Sequence, residues 1–223
     1  MRSQFADYFN HDNDAPGYDA DVQNERDPIR TGYAALMAHV GSCVAPRSRV
    51  LDLGTGTGTG NTILHLPSDT EVTGVDVSGN MLQIAESKLR DRNVRLVQDD
   101  VLHYVTEQDL DTYDVIVSTY TLHHLTPQER EQLFATIRRK VGPATPVIVG
   151  DLMYQDAADK ARIIGTYGES APTLADDFED EFFWEIVSTE VSLRNAGWDV
   201  SWTRFSDLSW VGRFGAADGR EVR

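Results

Sequence analysis

The sequence predicts an α/β fold: a doubly wound sheet of seven strands, mostly parallel, that ends in an antiparallel strand pair and carries an N-terminal helical cap. Two observations predict it. Short apolar runs alternate with helical periodicities over residues 46–152, a pattern typical of a parallel sheet buried on both faces. Two later apolar runs, at residues 198–205 and 208–214, are joined by only two residues, and so short a link requires an antiparallel pair.

Composition and charge narrow the classes of partner. The chain has 223 residues, enough for one domain with a full core, and its formal net charge is −16. That charge repels DNA, RNA and anionic membranes at long range. No apolar run reaches the ~18 residues of a membrane span, and residues 1–14 are too polar for a secretory signal. We therefore expect a cytoplasmic protein with no nucleic-acid or membrane partner, either monomeric or homodimeric.

The cap is expected over residues 1–45. No long helix is expected at the start of the cap, because it contains Asn13, Pro16 and Gly17. Apolar spacing then predicts a helix over residues 28–44 that Pro46 ends. Cys43, the single cysteine, excludes an internal disulfide and a cysteine-based zinc cluster, and we expect no metal site.

Strands and helices alternate after the cap. The strands are predicted at residues 49–53, 71–75, 94–98, 113–118 and 146–152, before the antiparallel pair. The helices are predicted at residues 59–66, 78–90, 127–140 and 156–165, with one more from the acidic segment at 176–181 to about residue 195. Ser78 is the expected N-cap of the second of these helices, and Gly197 the stop of the last.

The turn after the first strand carries glycine at positions 54, 56, 58 and 60. Because glycine has no Cβ and tolerates positive φ, such a turn can bring bare backbone against a ligand. The residues that follow can open a helix whose free N–H groups face an anion. Ligands of doubly wound sheets bind at the carboxyl ends of the strands, so the site is predicted at this turn.

The glycine spacing does not fit a dinucleotide. The fingerprint G-x-G-x-x-G fails because Thr59 or Asn61 stands at its third glycine position. Asp52 would also lie near a pyrophosphate, which is unfavourable. The pattern acid-x-Gly-x-Gly-x-Gly is instead complete, and it resembles motif I of class I S-adenosylmethionine-dependent methyltransferases. The resemblance implies a Rossmann-like fold, S-adenosyl-L-methionine as cofactor, and an acid facing the cationic methionine end.

The resemblance continues along the second strand. Residues 74–81 are similar to the family's Gly-x-Asp-x-Ser-x-x-Met. This implies that Asp76 accepts hydrogen bonds from both ribose hydroxyls, which suits the two acceptor oxygens of a carboxylate. Val77 and Met81 would line the adenine.

Three further matches complete the implied site. Asp99-Asp100-Val101 resembles the third-strand motif Gly-Asp-Ala, so Asp100 would accept from the adenine amino group and the Val101 N–H would donate to the ring. Ser118 would lie beside the methionine moiety. Tyr18 belongs to a Tyr-Asp pair similar to that of the N-terminal lid in small-molecule members. The implied cofactor-binding residues are Tyr18, Asp52, Gly54, Thr55, Gly56, Gly58, Asp76, Val77, Met81, Asp99, Asp100, Val101 and Ser118.

The acceptor is less well defined. Residues 118–121 lack the Asn/Asp-Pro-Pro-Tyr motif of nucleic-acid amino methylases, which with the acidic surface favours a small-molecule acceptor. We expect one domain: a lid at 1–45, a cofactor-binding half at 46–152, and acceptor-side helices with the hairpin at 153–223. The lid and residues 153–185 are expected to form the acceptor pocket.

The implied methyl-transfer reaction does not require a catalytic residue. In-line methyl transfer needs alignment and exclusion of water, and a base only when the acceptor is protonated. His123 and His124 are the candidate bases, although adjacent histidines after a strand are more often one packing or capping residue and one exposed residue. The alternative function is a non-catalytic protein that binds S-adenosylmethionine or S-adenosylhomocysteine.

Overall fold

The computed structural model describes residues 1–13, 15–58 and 62–217. The predicted helix start at residues 59–61 and the chain beyond residue 217 lie outside the described residues. The strands are β1 Arg49–Leu53, β2 Glu71–Asp76, β3 Asn93–Gln98, β4 Val115–Thr119, β5 Val147–Tyr154, β6 Trp184–Glu185, β7 Trp198–Arg204 and β8 Ser209–Ala216. The helices are α1 Ala15–Asp21, α2 Tyr33–Ser42, α3 Thr62–His65, α4 Gly79–Lys88, α5 Val101–Glu107, α6 Pro127–Lys140, α7 Ala157–Tyr167, α8 Leu174–Asp180 and α9 Ile186–Asn195, with a 3-10 turn at Leu122–His124.

The sheet confirms the predicted architecture. Its order is β3-β2-β1-β4-β5-β8-β7, parallel from β3 to β5 and antiparallel at β8 and β7. The unpredicted two-residue β6 pairs in parallel with the end of β5. The chain runs outward from β1 to β3 and then returns to place β4 on the other side of β1. The strand order therefore reverses between β1 and β4, and a ligand crevice opens there at the carboxyl ends.

Helices cover both faces of the sheet. On one face Leu36 of α2 and Ile63 of α3 pack with Val72 of β2, all fully buried. On the other face Phe134 of α6 lies edge-on to Trp184 and tilted against Phe214, with ring centroids 5.9 and 4.8 Å away. Burial on both faces explains why β1, β4 and β5 are mostly apolar and are buried at nearly every position rather than at alternate ones.

Several predicted helix bounds are wrong. The helix predicted over 28–44 begins only at Tyr33, after Gly32 with φ 81°. The helix predicted from the acidic segment at 176–181 to about residue 195 is two helices, α8 and α9, because Phe182 at φ 45° and β6 interrupt it. The short helices α1 and α5 were not predicted at all.

Two predicted helix ends, the Ser78 cap and the Gly197 stop, are confirmed. The Ser78 hydroxyl accepts from the Met81 N–H at 3.0 Å and caps α4. Gly197, at φ 85°, follows the end of α9. At the start of α6, Thr126 and Glu129 form a reciprocal capping box.

Among the described residues no helix is both long and apolar enough to cross a bilayer.

Candidate cofactor-binding cavity

A cavity of about 690 Å³, counting the part open to solvent, lies at the carboxyl ends of β1, β2 and β4. The sheet and its loops contribute Gly54, Gly56, Asp76, Val77, Met81, Asp100, Val101, Thr119, Tyr120, Thr121, His124 and Leu125. The N-terminal segment, residues 1–13, and α1 contribute Ser3, Phe5, Ala6, Phe9, Asn10, His11 and Tyr18. No described residue of 153–185 lines the cavity. Phe182 of that segment packs on the lining residue Phe5, with 5.5 Å between the ring centroids.

The loop after β1 requires its glycines. Gly54 and Gly58 have φ of +82° and +70°, and a Cβ on either would overlap Thr121 or Leu89 respectively. The backbone N–H groups of Gly54 and Thr55 donate to the Val75 carbonyl at 2.8 and 3.0 Å. The loop is therefore fixed to the end of β2 with its backbone towards the cavity.

Asp76 is the last residue of β2, and its carboxylate bonds both the loop after β1 and the N-cap of α4. One carboxylate oxygen accepts from the Gly56 N–H at 2.7 Å, and the other accepts from the Ser78 N–H at 2.8 Å. Burial raises its pKa, and these two bonds act in the opposite direction. Because each carboxylate oxygen can accept two hydrogen bonds, both oxygens keep one free acceptor position beside the cavity.

The N-terminal segment reaches Asp100 at the far end of the cavity. The Asp100 Oδ1 accepts from the Ser3 N–H at 3.1 Å and from the His103 N–H at 2.9 Å, the latter capping α5. The Ser3 hydroxyl donates to Oδ2. One acceptor position therefore remains, on Oδ2. Asp99 does not line the cavity; its carboxylate accepts from the Asp100 N–H and contacts the His103 ring, each at 2.8 Å.

Four of the predicted residues, Asp52, Thr55, Gly58 and Ser118, do not line the cavity. Asp52 is fully buried and accepts from the Thr55 hydroxyl at 3.1 Å. Burial raises the pKa of Asp52 to about 7. The Ser118 hydroxyl donates to the Leu53 carbonyl at 2.7 Å. Contact with a cofactor stays a prediction for these four residues.

An arginine that sequence reasoning missed lies behind the cavity wall. The guanidinium of Arg30 is 5.9 Å from the ring centroid of Tyr18 and 6.0 Å from that of Tyr120, both cavity residues. It forms an ion pair with the exposed Asp21 at 3.4 Å. Its Nε and the hydroxyl of neighbouring Tyr33 are buried without a hydrogen-bond partner. A single arginine in a loop belongs to no recognisable sequence motif, so its place near the cavity is visible only in the folded structure.

The two candidate bases have different surroundings. His123 does not line the cavity: its Nδ1 and backbone N–H lie 2.5 and 3.0 Å from the buried Asp151 carboxylate. His124 does line it, with its ring stacked on Phe9 at 4.3 Å. Burial lowers the pKa of His124 well below its usual 6.5. Among the described residues no three His, Cys, Asp or Glu side chains group in a way that could hold a metal ion.

Comparison with known proteins agrees with this geometry. Residues 50–144 match the family model described as a methyltransferase domain. An uncharacterized methyltransferase of Bacillus thuringiensis (strain Al Hakam) is 30% identical over 164 residues, which are 73% of this chain and 74% of the relative. Another, of Anoxybacillus flavithermus (strain DSM 21510 / WK1), is 28% identical over 95% of this chain and 97% of its own length.

Solved structures share the fold. Magnesium protoporphyrin IX methyltransferase from Synechocystis PCC 6803, solved with bound S-adenosylhomocysteine, superposes with a TM-score of 0.67 at 17% identity, over 95% of this chain and 97% of that one. The sheet order, the glycine loop and the sequence relationship lead to one assignment. The chain belongs to the class I S-adenosylmethionine-dependent methyltransferase family.

Proposed function

We propose that the protein transfers a methyl group from S-adenosylmethionine to a small-molecule acceptor, acting mainly by positioning. The observation that carries the proposal is the cavity itself. It combines the glycine loop and the Asp76 carboxylate with a cover formed by the N-terminal segment. The first two features suit the cofactor, and the cover limits the size of the acceptor.

The residues present fit the cofactor. Both Asp76 oxygens keep an acceptor position for a ribose hydroxyl, and the bare backbone of the loop leaves room beside them. Arg30 and Tyr33 bring donors without a partner behind the same wall, which suits the carboxylate of an amino-acid moiety. When bound, S-adenosylmethionine supplies a methyl group on a cationic sulfur, with its own leaving group. The protein must then align an acceptor with that methyl and exclude water.

The cover favours a small acceptor. Three sets of contacts fasten the N-terminal segment across the cavity: Ser3 with Asp100, the Gln4 N–H with Glu129 at 2.6 Å, and Asp12 with the Ser78 hydroxyl at 2.5 Å. A macromolecular strand could enter only after these contacts break. A small molecule needs only the space between the segment and the turn after β4.

Calorimetry and a transfer assay test the proposal. We expect S-adenosylmethionine and S-adenosylhomocysteine to bind and NADH not to bind, and we expect labelled methyl to pass to a component of a metabolite extract. NADH binding without adenosyl-ligand binding would contradict the cofactor assignment. Binding of both adenosyl ligands without transfer to any acceptor would favour the non-catalytic alternative.

A further inference from the structure

A buried arginine outside the cavity joins two chain segments that meet beside it. Arg130 lies in the first turn of α6 and does not itself line the cavity. Its Nη1 donates to the carbonyls of Leu122 and Leu125 at 3.3 and 2.8 Å, at the two ends of the turn after β4. The same nitrogen donates to the carbonyl of Phe182 at 2.7 Å. One side chain thus ties the turn to a segment that is distant from it in sequence.

The position of Arg130 is costly for a cation. Burial lowers the pKa of its guanidinium to about 10, against the opposing effect of the Asp151 carboxylate. The first turn of a helix carries partial positive charge, which also disfavours a cation there. The guanidinium carbon lies over the ring of Trp184, 4.8 Å from its centroid, and this contact offsets part of the cost. An apolar residue would avoid the cost but could not hold the three carbonyls.

The turn held by Arg130 forms a wall of the cavity. His124 and Leu125 both line it. Within the turn, the His123 N–H donates to the buried Asp151 carboxylate at 3.0 Å. The turn is therefore held twice, by Asp151 of β5 and by Arg130 of α6. Because the proposed acceptor space lies between this turn and the N-terminal segment, Arg130 fixes one side of that space.

The other segment held by Arg130 contacts the cover of the cavity. Phe182 adopts φ 45°, a left-handed conformation that is unfavourable for a residue with a Cβ. Its ring packs on Phe5 of the N-terminal segment. Glu129, next to Arg130, accepts from the Gln4 N–H of the same segment at 2.6 Å. Strained backbone persists where surrounding contacts hold it, and it clusters at functional sites. The start of α6 therefore supports both sides of the acceptor space.

We propose that Arg130 is a positioning residue for methyl transfer, which fixes the turn after β4 and Phe182 relative to each other and thereby aligns the acceptor with the methyl group. This inference rests on the proposed methyl transfer. The carbonyl partners of Arg130 are not among the residues proposed to hold the cofactor. Loss of Arg130 should therefore slow transfer and leave cofactor affinity unchanged. A misplacement of about 1 Å between reacting groups can cost about 100-fold in rate.

The rate of transfer per binding site tests the proposal. The probe is labelled S-adenosylmethionine, with one fixed metabolite extract as the source of acceptor. Calorimetry with S-adenosylhomocysteine counts the binding sites, so a protein that is merely destabilised loses sites and keeps its rate per site. At saturating S-adenosylmethionine, Arg130→Met should lower the rate per site by about 100-fold. KM for S-adenosylmethionine and the dissociation constant of S-adenosylhomocysteine should stay within about threefold of wild type.

Two further variants accompany Arg130→Met. Arg130→Lys keeps a positive charge on a shorter side chain, so it should restore part of the rate and remain about tenfold below wild type. Arg139→Met is the matched control, because it removes an exposed arginine from the last turn of the same helix. It should change neither rate nor affinity.

Hydrogen exchange gives a readout that does not depend on activity. The His124 N–H donates to the Thr121 carbonyl, and the Leu125 N–H donates to the Leu122 carbonyl, each at 3.1 Å. In Arg130→Met these two amides should exchange at least about tenfold faster than in wild type, because the turn opens locally. The amides of β4 should change by less.

A rate per site within about threefold of wild type for Arg130→Met, or unchanged protection of the turn, would overturn the proposal. Parallel losses of rate and S-adenosylhomocysteine affinity would also overturn it, since they would place Arg130 in the cofactor site. If Arg130→Met does not fold, the same limits apply to Arg130→Lys. Absence of transfer by the wild-type protein contradicts the proposed function, whereas full transfer by a folded Arg130→Met contradicts the positioning role alone.

Discussion

The substitution Asp76→Asn tests the proposed ribose site with little change in shape. The carboxylate holds the Gly56 and Ser78 N–H groups, one on each oxygen, at 2.7 and 2.8 Å. Asparagine keeps one acceptor oxygen and turns an NH₂ group towards the other donor. One charge-assisted bond to the ribose is then lost. At about 1.5–3 kcal/mol this loss raises the dissociation constant of S-adenosylhomocysteine by roughly 10- to 100-fold.

The effect on folding should be smaller than the effect on binding. Burial raises the pKa of Asp76, so removing its charge relieves a desolvation cost that offsets part of the lost backbone bonding. Calorimetry with S-adenosylhomocysteine and with 5′-methylthioadenosine, which keeps the ribose, measures the binding effect and should give the same factor for both. Glu71→Gln removes an exposed charge at the opposite end of β2 and should leave affinity unchanged. An Asp76→Asn protein that folds and binds within about twofold of wild type would refute the ribose assignment.

Three further predictions concern residues around the cavity. Burial raises the pKa of Asp52 from 3.8 to about 7 in the folded protein. The free energy of unfolding of the wild-type protein should therefore fall relative to that of Asp52→Asn as the pH rises between these two values, by on the order of 4 kcal/mol in total. Urea unfolding at a series of pH values measures this, and a pH-independent difference would contradict it. Arg30→Gln should weaken S-adenosylhomocysteine by about tenfold or more and leave 5′-methylthioadenosine unchanged, and equal losses would exclude a carboxylate role. Thr126→Ala removes the capping box of α6 and should lower the free energy of unfolding by about 1 kcal/mol, so an unchanged urea midpoint would count against the cap.

The parallel sheet was predictable because most of its strands are short, mainly apolar runs with glycine, proline or polar residues and helical segments between them. The elements that were missed are short. The seven residues of α5 begin directly after β3 and its Asp-Asp pair, so they are too few to establish a helical period. The two residues of β6 have no periodicity at all, and their pairing with β5 depends on tertiary packing.

The candidate site likewise contains residues that the sequence predicts and residues that it does not. Asp76, Asp100 and the glycines belong to local motifs of fixed spacing, which a sequence displays directly. Arg30 and His11 belong to no such motif. His11 comes to the cavity because the N-terminal segment folds back over it, and it meets a partner 113 residues away. Arg30 lies behind the cavity wall through its packing near Tyr18 and Tyr120. Contacts of that kind are a property of the folded chain and cannot be read from spacing.

The most direct test of the account is the structure of the S-adenosylhomocysteine complex. We expect both ribose hydroxyls to donate to Asp76, the adenine to lie between Met81 and Val101 with its amino group at Asp100, and the carboxylate to reach Arg30. The N-terminal segment should remain over the ligand, with His11 still facing His124. A ribose bound away from Asp76, or a cofactor bound outside the cavity, would contradict the account at its centre.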